Sequence, residues 1–215
     1  MKRFGLAILG LAAMLVSLGA AIGAGNEEKP MSHAEREQFL KDFNRTGMDT
    51  TPGDAMFLRI LVEASGAKRG VEVGSYKGFG AINMGIAFER AGGHLDTVEI
   101  NPDTAEACRE NLRKVGLQDT VTCITGDALK VLPTLEGKID FVFIDAKKSD
   151  YMRYLKDLEP KLVPGAVIVA DNTIRSARAM QDFLDYLEKS PDYDTVTIRA
   201  SMEKKDGMTV AFKIR

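Results

Sequence analysis

The sequence predicts an α/β fold, a doubly wound and mostly parallel sheet of seven strands that ends in an antiparallel pair. Short aliphatic runs alternate with amphipathic stretches along most of the chain, an order that is typical of parallel strands joined by crossover helices. The runs 141–144 and 166–170 are apolar throughout, as strands buried on both faces should be. Asp206 and Gly207 separate the last two strand-like runs, a pattern that favours a hairpin.

The individual elements follow from the same alternation, taken in chain order. Thr51 and Pro52 mark a turn or cap before the first amphipathic helix of the domain, expected at 55–65. Strands are expected at 70–74, 94–100, 121–125, 141–144, 166–170, 195–200 and 209–214. The helices between them are expected at 81–91, 102–115, 128–132, 151–162 and 177–189.

Length and charge restrict the classes of protein to consider. The chain has 215 residues, 45% of them hydrophobic, which fits one globular domain with an N-terminal appendage. Its formal net charge is −2, and this argues against a nucleic-acid partner, because phosphate contacts need a basic face. Cys108 and Cys123 do not have metal-site spacing and are interpreted as buried apolar residues, with a disulfide as the alternative.

The N-terminal 25 residues differ in composition from the rest. Lys2 and Arg3 precede an uncharged apolar run at 4–24, the pattern of a secretory signal sequence. A run of about 20 apolar residues also suffices to span a bilayer if it is not cleaved. We therefore expect a signal peptide or membrane tether over 1–25, a linker with an N-terminal helix over 26–49, and the globular domain over 50–215. The protein is expected to be exported or anchored on the outer side of the membrane.

A glycine-rich segment follows the first predicted strand. Gly74, Gly78 and Gly80 have the spacing Gly-x-x-x-Gly-x-Gly, which differs from the Gly-x-Gly-x-x-Gly of dinucleotide-binding folds. Glu72 precedes this loop, where its charge would repel a pyrophosphate and suits a cationic amino-acid group instead. The segment therefore indicates a ligand site of another kind, although many glycine loops are only turns.

Carboxylates also end the second and third predicted strands. Glu99 is placed to accept both hydrogen bonds of a ribose diol, with a solvated surface glutamate as the alternative. Asp127 is placed either to accept from an adenine amino group or to cap the following helix. Together with the glycine loop, Glu99 favours a nucleoside site.

Two carboxylates and an amide end the fourth and fifth predicted strands. Asp145 follows the run 141–144, and Asp171 and Asn172 follow the run 166–170. The carboxyl ends of parallel strands meet at one edge of a sheet, where ligands bind. An oxygen-only set of this kind suits Mg²⁺ or Ca²⁺. Lys148, three residues after Asp145, is a candidate general base.

From about residue 50 to the C-terminus, the chain resembles the cation-dependent O-methyltransferases, the group that includes the catechol and caffeoyl-CoA O-methyltransferases. The matching stretches, in the same order and spacing, are Glu72-Val-Gly-Ser-Tyr-Lys-Gly-Phe, Val98-Glu-Ile-Asn-Pro, Phe143-Ile-Asp-Ala-Lys-Lys-Ser-Asp-Tyr and Ala170-Asp-Asn. The resemblance implies a Rossmann-like class I methyltransferase fold. It also implies S-adenosylmethionine as methyl donor and a small phenolic acceptor held on Mg²⁺ or another divalent cation.

Residue roles follow from the resemblance at the positions that match. The implied cofactor-binding residues are Thr50, Glu72, Gly74, Tyr76, Gly78, Glu99, Asp127, Ala128 and Asp145. The implied metal ligands are Asp145, Asp171 and Asn172, and Lys148 matches the proton acceptor of the family. Family members often form homodimers, so a homodimer is a further expectation.

Three positions depart from the family pattern and leave the acceptor open. Gly80 stands where a hydroxyl residue is usual, Lys147 where many members have an aspartate, and Arg199 near the position of a bracing acid in the catechol enzyme. Methylation of another nucleophile, a dehydrogenase on the same sheet, and a non-catalytic tethered protein are the alternatives. The last alternative gains weight because the leader predicts export, whereas S-adenosylmethionine is made in the cytosol.

Overall fold

The computed structural model describes residues 31–215. The predicted signal peptide or anchor over residues 1–25 and the start of the predicted linker lie outside the described residues. Helix α1, His33–Lys41, falls within the segment expected to contain an N-terminal helix. Ser32 caps its start through a reciprocal capping box with Glu35. Within residues 31–215, no helix is long and apolar enough to cross a membrane.

Within the described residues, seven strands form one sheet in the order β3-β2-β1-β4-β5-β7-β6. Neighbours from β3 to β5 pair in parallel, whereas β7 is antiparallel to both β5 and β6. The predicted fold class, including its C-terminal antiparallel pair, is thus confirmed. The strands are β1 Arg69–Val73, β2 His94–Glu99, β3 Val121–Thr125, β4 Ile139–Ile144, β5 Leu162–Ala170, β6 Tyr193–Ile198 and β7 Met208–Lys213.

Six helices follow α1 in the described part of the chain. They are α2 Pro52–Ser65, α3 Phe79–Ala91, α4 Pro102–Lys114, α5 Ala128–Val131, α6 Tyr151–Leu158 and α7 Gln181–Lys189. Thr51 caps α2 by accepting from the backbone N–H of Asp54 at 3.3 Å, so this helix begins three residues before its predicted start. The predicted helix 177–189 begins as a 3₁₀ turn, Ala177–Met180, before α7.

The largest difference from the sequence prediction lies between α6 and β5. The helix predicted over 151–162 ends at Leu158 and continues only as the 3₁₀ turn Glu159–Lys161. The strand predicted over 166–170 starts earlier, at Leu162. Pro164 and Gly165 would ordinarily mark a turn, but a register shift in the β4–β5 ladder accommodates them within the strand.

Strand β4 is buried on both faces and separates two apolar cores. Phe141 and Phe143 belong to the core beneath α2 and α3, and Val142 and Ile144 belong to the core beneath α6 and α7. All four side chains are completely inaccessible to solvent. Because the period of a strand is two residues, this double burial fixes the register of β4. Asp145 is thereby held at the carboxyl edge of the sheet.

Candidate active site

In the part of the chain that the structure describes, two cavities at the carboxyl edge of the sheet contain predicted site residues. The strand-end cavity, about 400 Å³, lies beyond the ends of β1, β2 and β4. The acidic cavity, about 520 Å³, lies beyond the ends of β4 and β5. Asp145 lines both of them. The predicted cofactor-binding residues that the strand-end cavity brings together are Thr50, Gly74, Tyr76, Glu99, Asp127, Ala128 and Asp145.

Glu99 is held by backbone groups from two different loops. Its Oε2 accepts from the backbone N–H of Tyr76 at 2.8 Å, and its Oε1 accepts from the backbone N–H of Asn101 at 2.9 Å. Tyr76 has φ 48°, a left-handed conformation that is rare for an aromatic residue. The strained Tyr76 peptide thus orients the carboxylate whose predicted partner is a ribose.

Asp127 caps the short helix α5, as the alternative prediction for this residue proposed. Its Oδ1 accepts from the backbone N–H of Leu129 at 3.0 Å. The cap uses only one carboxylate oxygen of Asp127, and the residue also lines the strand-end cavity. Capping and ligand contact are therefore compatible at this position.

Two of the predicted cofactor-binding residues do not line the strand-end cavity. Glu72 is 1% exposed and accepts from Thr97 Oγ1 at 2.5 Å. Burial raises the pKa of Glu72 to about 8, with the carboxylates of Asp145 and Glu99 adding to the effect. Gly78 has φ 90° at the start of α3 and packs on Cys108, whose Sγ would lie 2.8 Å from an added Cβ. Their predicted contacts with a cofactor stay predictions.

Gly80 leaves the space that Glu72 occupies. A Cβ built on Gly80 would lie 2.8 Å from Glu72 Oε1 and 3.1 Å from Thr50 Oγ1. Both atoms belong to predicted cofactor-binding residues. Gly80 departs from the family pattern, and polar atoms of Glu72 and Thr50 occupy the space that a side chain would need there.

Lys148 lies in the acidic cavity and connects two side chains. Its Nζ donates to Asp145 Oδ1 at 2.7 Å and to the hydroxyl of Tyr151 at 2.8 Å. The Tyr151 hydroxyl in turn donates to the backbone carbonyl of Asp171 at 3.2 Å. Burial, with the charges of Asp145 and Asp171, raises the pKa of Tyr151 well above its ordinary value. Tyr151 therefore stays a neutral phenol that orients the lysine.

The three predicted metal ligands all line the acidic cavity. Asn172 has φ 59° and its Nδ2 donates to Asp206 Oδ2 at 3.2 Å, which fixes the amide. Among residues 31–215, no group of three or more His, Cys, Asp or Glu side chains is placed to hold a metal. The oxygen set here consists of two carboxylates, Asp145 and Asp171, and one amide.

Asp171 has a partner that the sequence reasoning missed. Lys204 Nζ donates to Asp171 Oδ1 at 2.8 Å and Oδ2 at 2.6 Å, and pairs with Asp54 Oδ2 at 2.9 Å. Burial and the charge of Asp145 raise the pKa of Asp171 to about 6, against the opposing effect of Lys204. Burial alone would lower the pKa of Lys204, but its contacts with Asp171 and Asp54 raise it. Lys204 is therefore a firmly protonated ammonium.

Other residues near the cavities also lacked a clear sequence signal. Tyr154 and Arg153 of α6 line the strand-end cavity, as does Asp150 at the start of that helix. The amphipathic pattern of α6 predicts which of its faces is buried, but not which strand end it faces. Lys204 and Asp54 lie 150 positions apart in the chain, so no local pattern relates them. Arg199, a predicted departure, is exposed and lines neither cavity.

Comparison with known proteins identifies the family of this chain. A family model described as O-methyltransferase matches residues 24–211. The chain belongs to the O-methyltransferase family. A catechol O-methyltransferase of Mycobacterium tuberculosis is 37% identical over 68% of this chain and 64% of its own length. A caffeoyl-CoA O-methyltransferase of Zea mays is 27% identical over 78% of this chain and 72% of its own length. The predicted resemblance to this family is confirmed.

Solved O-methyltransferase structures share the fold. A Bacillus cereus O-methyltransferase in complex with SAH superposes with a TM-score of 0.72 and 26% identity, over 84% of this chain and 89% of that one. The chain spans about two thirds, 64–66%, of the length of the first curated relatives that it matches.

Proposed function

We propose that this protein is an S-adenosylmethionine-dependent O-methyltransferase that moves a methyl group to one hydroxyl of a catechol-like small molecule, with Mg²⁺ or a similar divalent cation. One observation carries the proposal: Asp145 lines both the strand-end cavity and the acidic cavity. A donor in the first cavity and an acceptor in the second would therefore meet at this residue. Such positioning is the main source of acceleration in a displacement between two bound reactants.

The strand-end cavity suits the methyl donor. Glu99 is oriented by two backbone N–H groups and retains lone pairs for a ribose diol. Gly74 lets the end of β1 pack closely against the end of β4, because a Cβ there would lie 2.3 Å from the carbonyl oxygen of Asp145, and both residues line this cavity. S-adenosylmethionine would supply the electrophilic sulfonium methyl. The family and its SAH-bound structural relative support this cofactor.

The acidic cavity suits a divalent cation by charge and by ligand type. The charge of Asp145 disfavours the charged form of Asp171, since it contributes to raising the pKa of Asp171. A cation between such carboxylates relieves this repulsion. With the amide of Asn172, they form the hard oxygen set that Mg²⁺ prefers. The ion would hold the acceptor oxygens and acidify the reacting hydroxyl.

The proton of the acceptor hydroxyl would pass to Lys148 in its neutral amine form, since an ammonium has no lone pair with which to accept it. The lysine nitrogen is held between Asp145 and Tyr151, so its position is fixed before an acceptor enters. Met48 lines both cavities and offers an apolar contact at their junction. Arg45 and Arg175 line the acidic cavity as well, and Arg45 pairs there with Glu203 at 3.4 Å. An anionic group on the phenol would therefore pair with Arg175.

The proposal is tested by methyl transfer from isotopically labelled S-adenosylmethionine to catechol, with and without EDTA. We expect turnover with Mg²⁺, loss of turnover with EDTA, and recovery when Mg²⁺ is restored. A monohydroxyl phenol should react far more slowly, because it lacks the second oxygen for the cation. Turnover that is insensitive to EDTA would refute the cation requirement, and an equally good monohydroxyl substrate would refute the catechol preference.

Export or membrane tethering through residues 4–24 is retained as part of the proposal. It is tested by fractionating cells that express the full chain. Recovery of the protein outside the cytoplasm or in the membrane fraction is expected, and recovery only in the soluble cytoplasmic fraction would contradict it.

A further inference from the structure

The side chain of Lys204 lies where a cation would have to bind. Its ammonium is within 2.9 Å of three carboxylate oxygens, both of Asp171 and Oδ2 of Asp54. The two carboxylates are almost completely buried, 2% and 1% exposed. Both oxygens of Asp171, a proposed metal ligand, are therefore already occupied by a positively charged group of the chain itself.

We propose that Lys204 is an internal competitor for the divalent cation, an ammonium that neutralises Asp171 when the ion is absent and must leave it when the ion binds. The inference rests on the cation site of the proposed function. Two buried carboxylates without a counter-charge are costly, and Lys204 removes that cost in the metal-free enzyme. The consequence is a weaker cation affinity than the oxygen ligands alone would give.

The surroundings of Lys204 allow this exchange without a change of fold. The backbone is held on both sides of it: Ser201 Oγ accepts from the N–H of Glu203, and Asp206 accepts from the N–H groups of Ile174, Arg175 and Gly207. The side chain of Lys204 remains 18% exposed, and its stem has several rotatable bonds. The movement required is thus a rotation of the side chain about its own stem.

Asp54 gives the displaced ammonium a second partner. It lies in the first turn of α2, where its Oδ2 also accepts from Thr51 Oγ1 at 2.8 Å. If Lys204 releases Asp171, it keeps its ion pair with Asp54 and stays charged in a partly buried position. The exchange therefore breaks only the ion pair between Lys204 and Asp171, which the ion replaces.

The test measures Mn²⁺ binding by electron paramagnetic resonance in the full chain without S-adenosylmethionine. The variants are Lys204→Met, Lys204→Gln and, as a matched control, Lys205→Met, which removes the same charge from the exposed neighbouring position. We expect both Lys204 variants to bind Mn²⁺ at least about tenfold more tightly than the wild type. The control should bind like the wild type.

Thermal unfolding gives a second measurement. The Lys204 variants should have a lower melting temperature without metal, because Asp171 and Asp54 lose their counter-charge. A fixed Mn²⁺ concentration should then raise their melting temperature more than that of the wild type, as expected for tighter binding to the folded state. Lys204→Gln keeps a donor for Asp54, so it decides the question if Lys204→Met does not fold.

The outcomes separate this inference from the proposed function. Equal or weaker Mn²⁺ binding by the Lys204 variants, or no binding by any of the proteins, overturns the competition. Tighter binding by these variants supports it even if catechol is not methylated, a result that would refute the proposed function alone. Tighter binding by Lys205→Met to the same extent would show a general charge effect and overturn the role of Lys204.

Discussion

The ammonium nitrogen of Lys148 lies 2.7 Å from Oδ1 of Asp145. The two residues are three positions apart, at the end of β4 and in the 3₁₀ turn Lys148–Asp150 that follows it. The lysine is anchored by the same carboxylate that lines both cavities. A proposed proton acceptor and a proposed metal ligand are thus one structural unit, built by a short turn after a buried strand.

Replacement of Lys148 should lower turnover without changing cofactor affinity. We expect Lys148→Met to reduce kcat by about 10²- to 10⁴-fold, the usual contribution of a general base. Lys148→Arg keeps the charge beside Asp145 but cannot give up its proton, so it should be equally impaired. Steady-state kinetics and calorimetry with S-adenosylmethionine measure the two quantities. Substantial activity of Lys148→Arg would show that only the charge is needed.

Replacement of Glu99 should weaken cofactor binding. In Glu99→Gln, an amide N–H₂ would face one of the backbone N–H groups that the carboxylate now accepts from. The ribose hydroxyls would also meet a neutral amide in place of a carboxylate, and a hydrogen bond to a charged group contributes about 1.5–3 kcal/mol, so we expect the Kd for S-adenosylmethionine to rise about tenfold to a hundredfold. The control is Glu110→Gln, the same change on the exposed face of α4. Unchanged affinity in Glu99→Gln would remove Glu99 from the cofactor site.

A side chain at Gly74 should separate the ends of β1 and β4. Gly74 has φ 94°, and its added Cβ would lie 2.3 Å from the carbonyl oxygen of Asp145. Gly137 has a similar φ of 87° with no atom within 4 Å of an added Cβ, so Gly137→Ala measures the backbone cost alone, about 1–2 kcal/mol. Gly74→Ala should lower the free energy of unfolding by clearly more, measured by urea denaturation. Equal losses in the two variants would contradict the close approach.

The buried carboxyl of Glu72 should make stability depend on pH. Its pKa is raised from an ordinary 4.5 to about 8, chiefly by burial. Between these values the folded state binds one proton more than the unfolded state, so this contribution is present below about pH 4.5 and is lost as pH rises toward 8. The loss is at most about 1.4 kcal/mol per pH unit.

Glu72→Gln isolates this effect, because the amide does not ionise. Relative to the wild type, the variant should become progressively more stable from pH 5 to pH 8, as measured by urea unfolding at several pH values. Asp171 also titrates, but its contribution is the same in both proteins and cancels when their free energies of unfolding are subtracted. Parallel stability curves for the two proteins would show that Glu72 does not carry the shifted proton.

The sequence was most informative at β4, where one apolar run determines both the packing of the strand and the position of the residue that follows it. The continuous apolar run that ends at Ile144 predicted a doubly buried strand, and this burial holds Asp145 at the carboxyl edge. It was less informative where long-range pairing overrides local preference. Pro164 and Gly165 indicate a turn, yet the β4–β5 ladder pairs Leu162 with Ile139 before them and Val167 with Phe141 after them. The strand therefore continues through them by a shift of register.

The sequence by itself determined the α/β fold, the strand ends that carry polar side chains and the family to which the chain belongs, since these depend on periodicity and on motifs within a few residues. Only the tertiary structure decided that Glu72 is buried outside the lining of the strand-end cavity and that Lys204 bridges Asp171 and Asp54. Such contacts join residues far apart in the chain. They are set by how the sheet and helices pack, and local sequence carries no record of that packing.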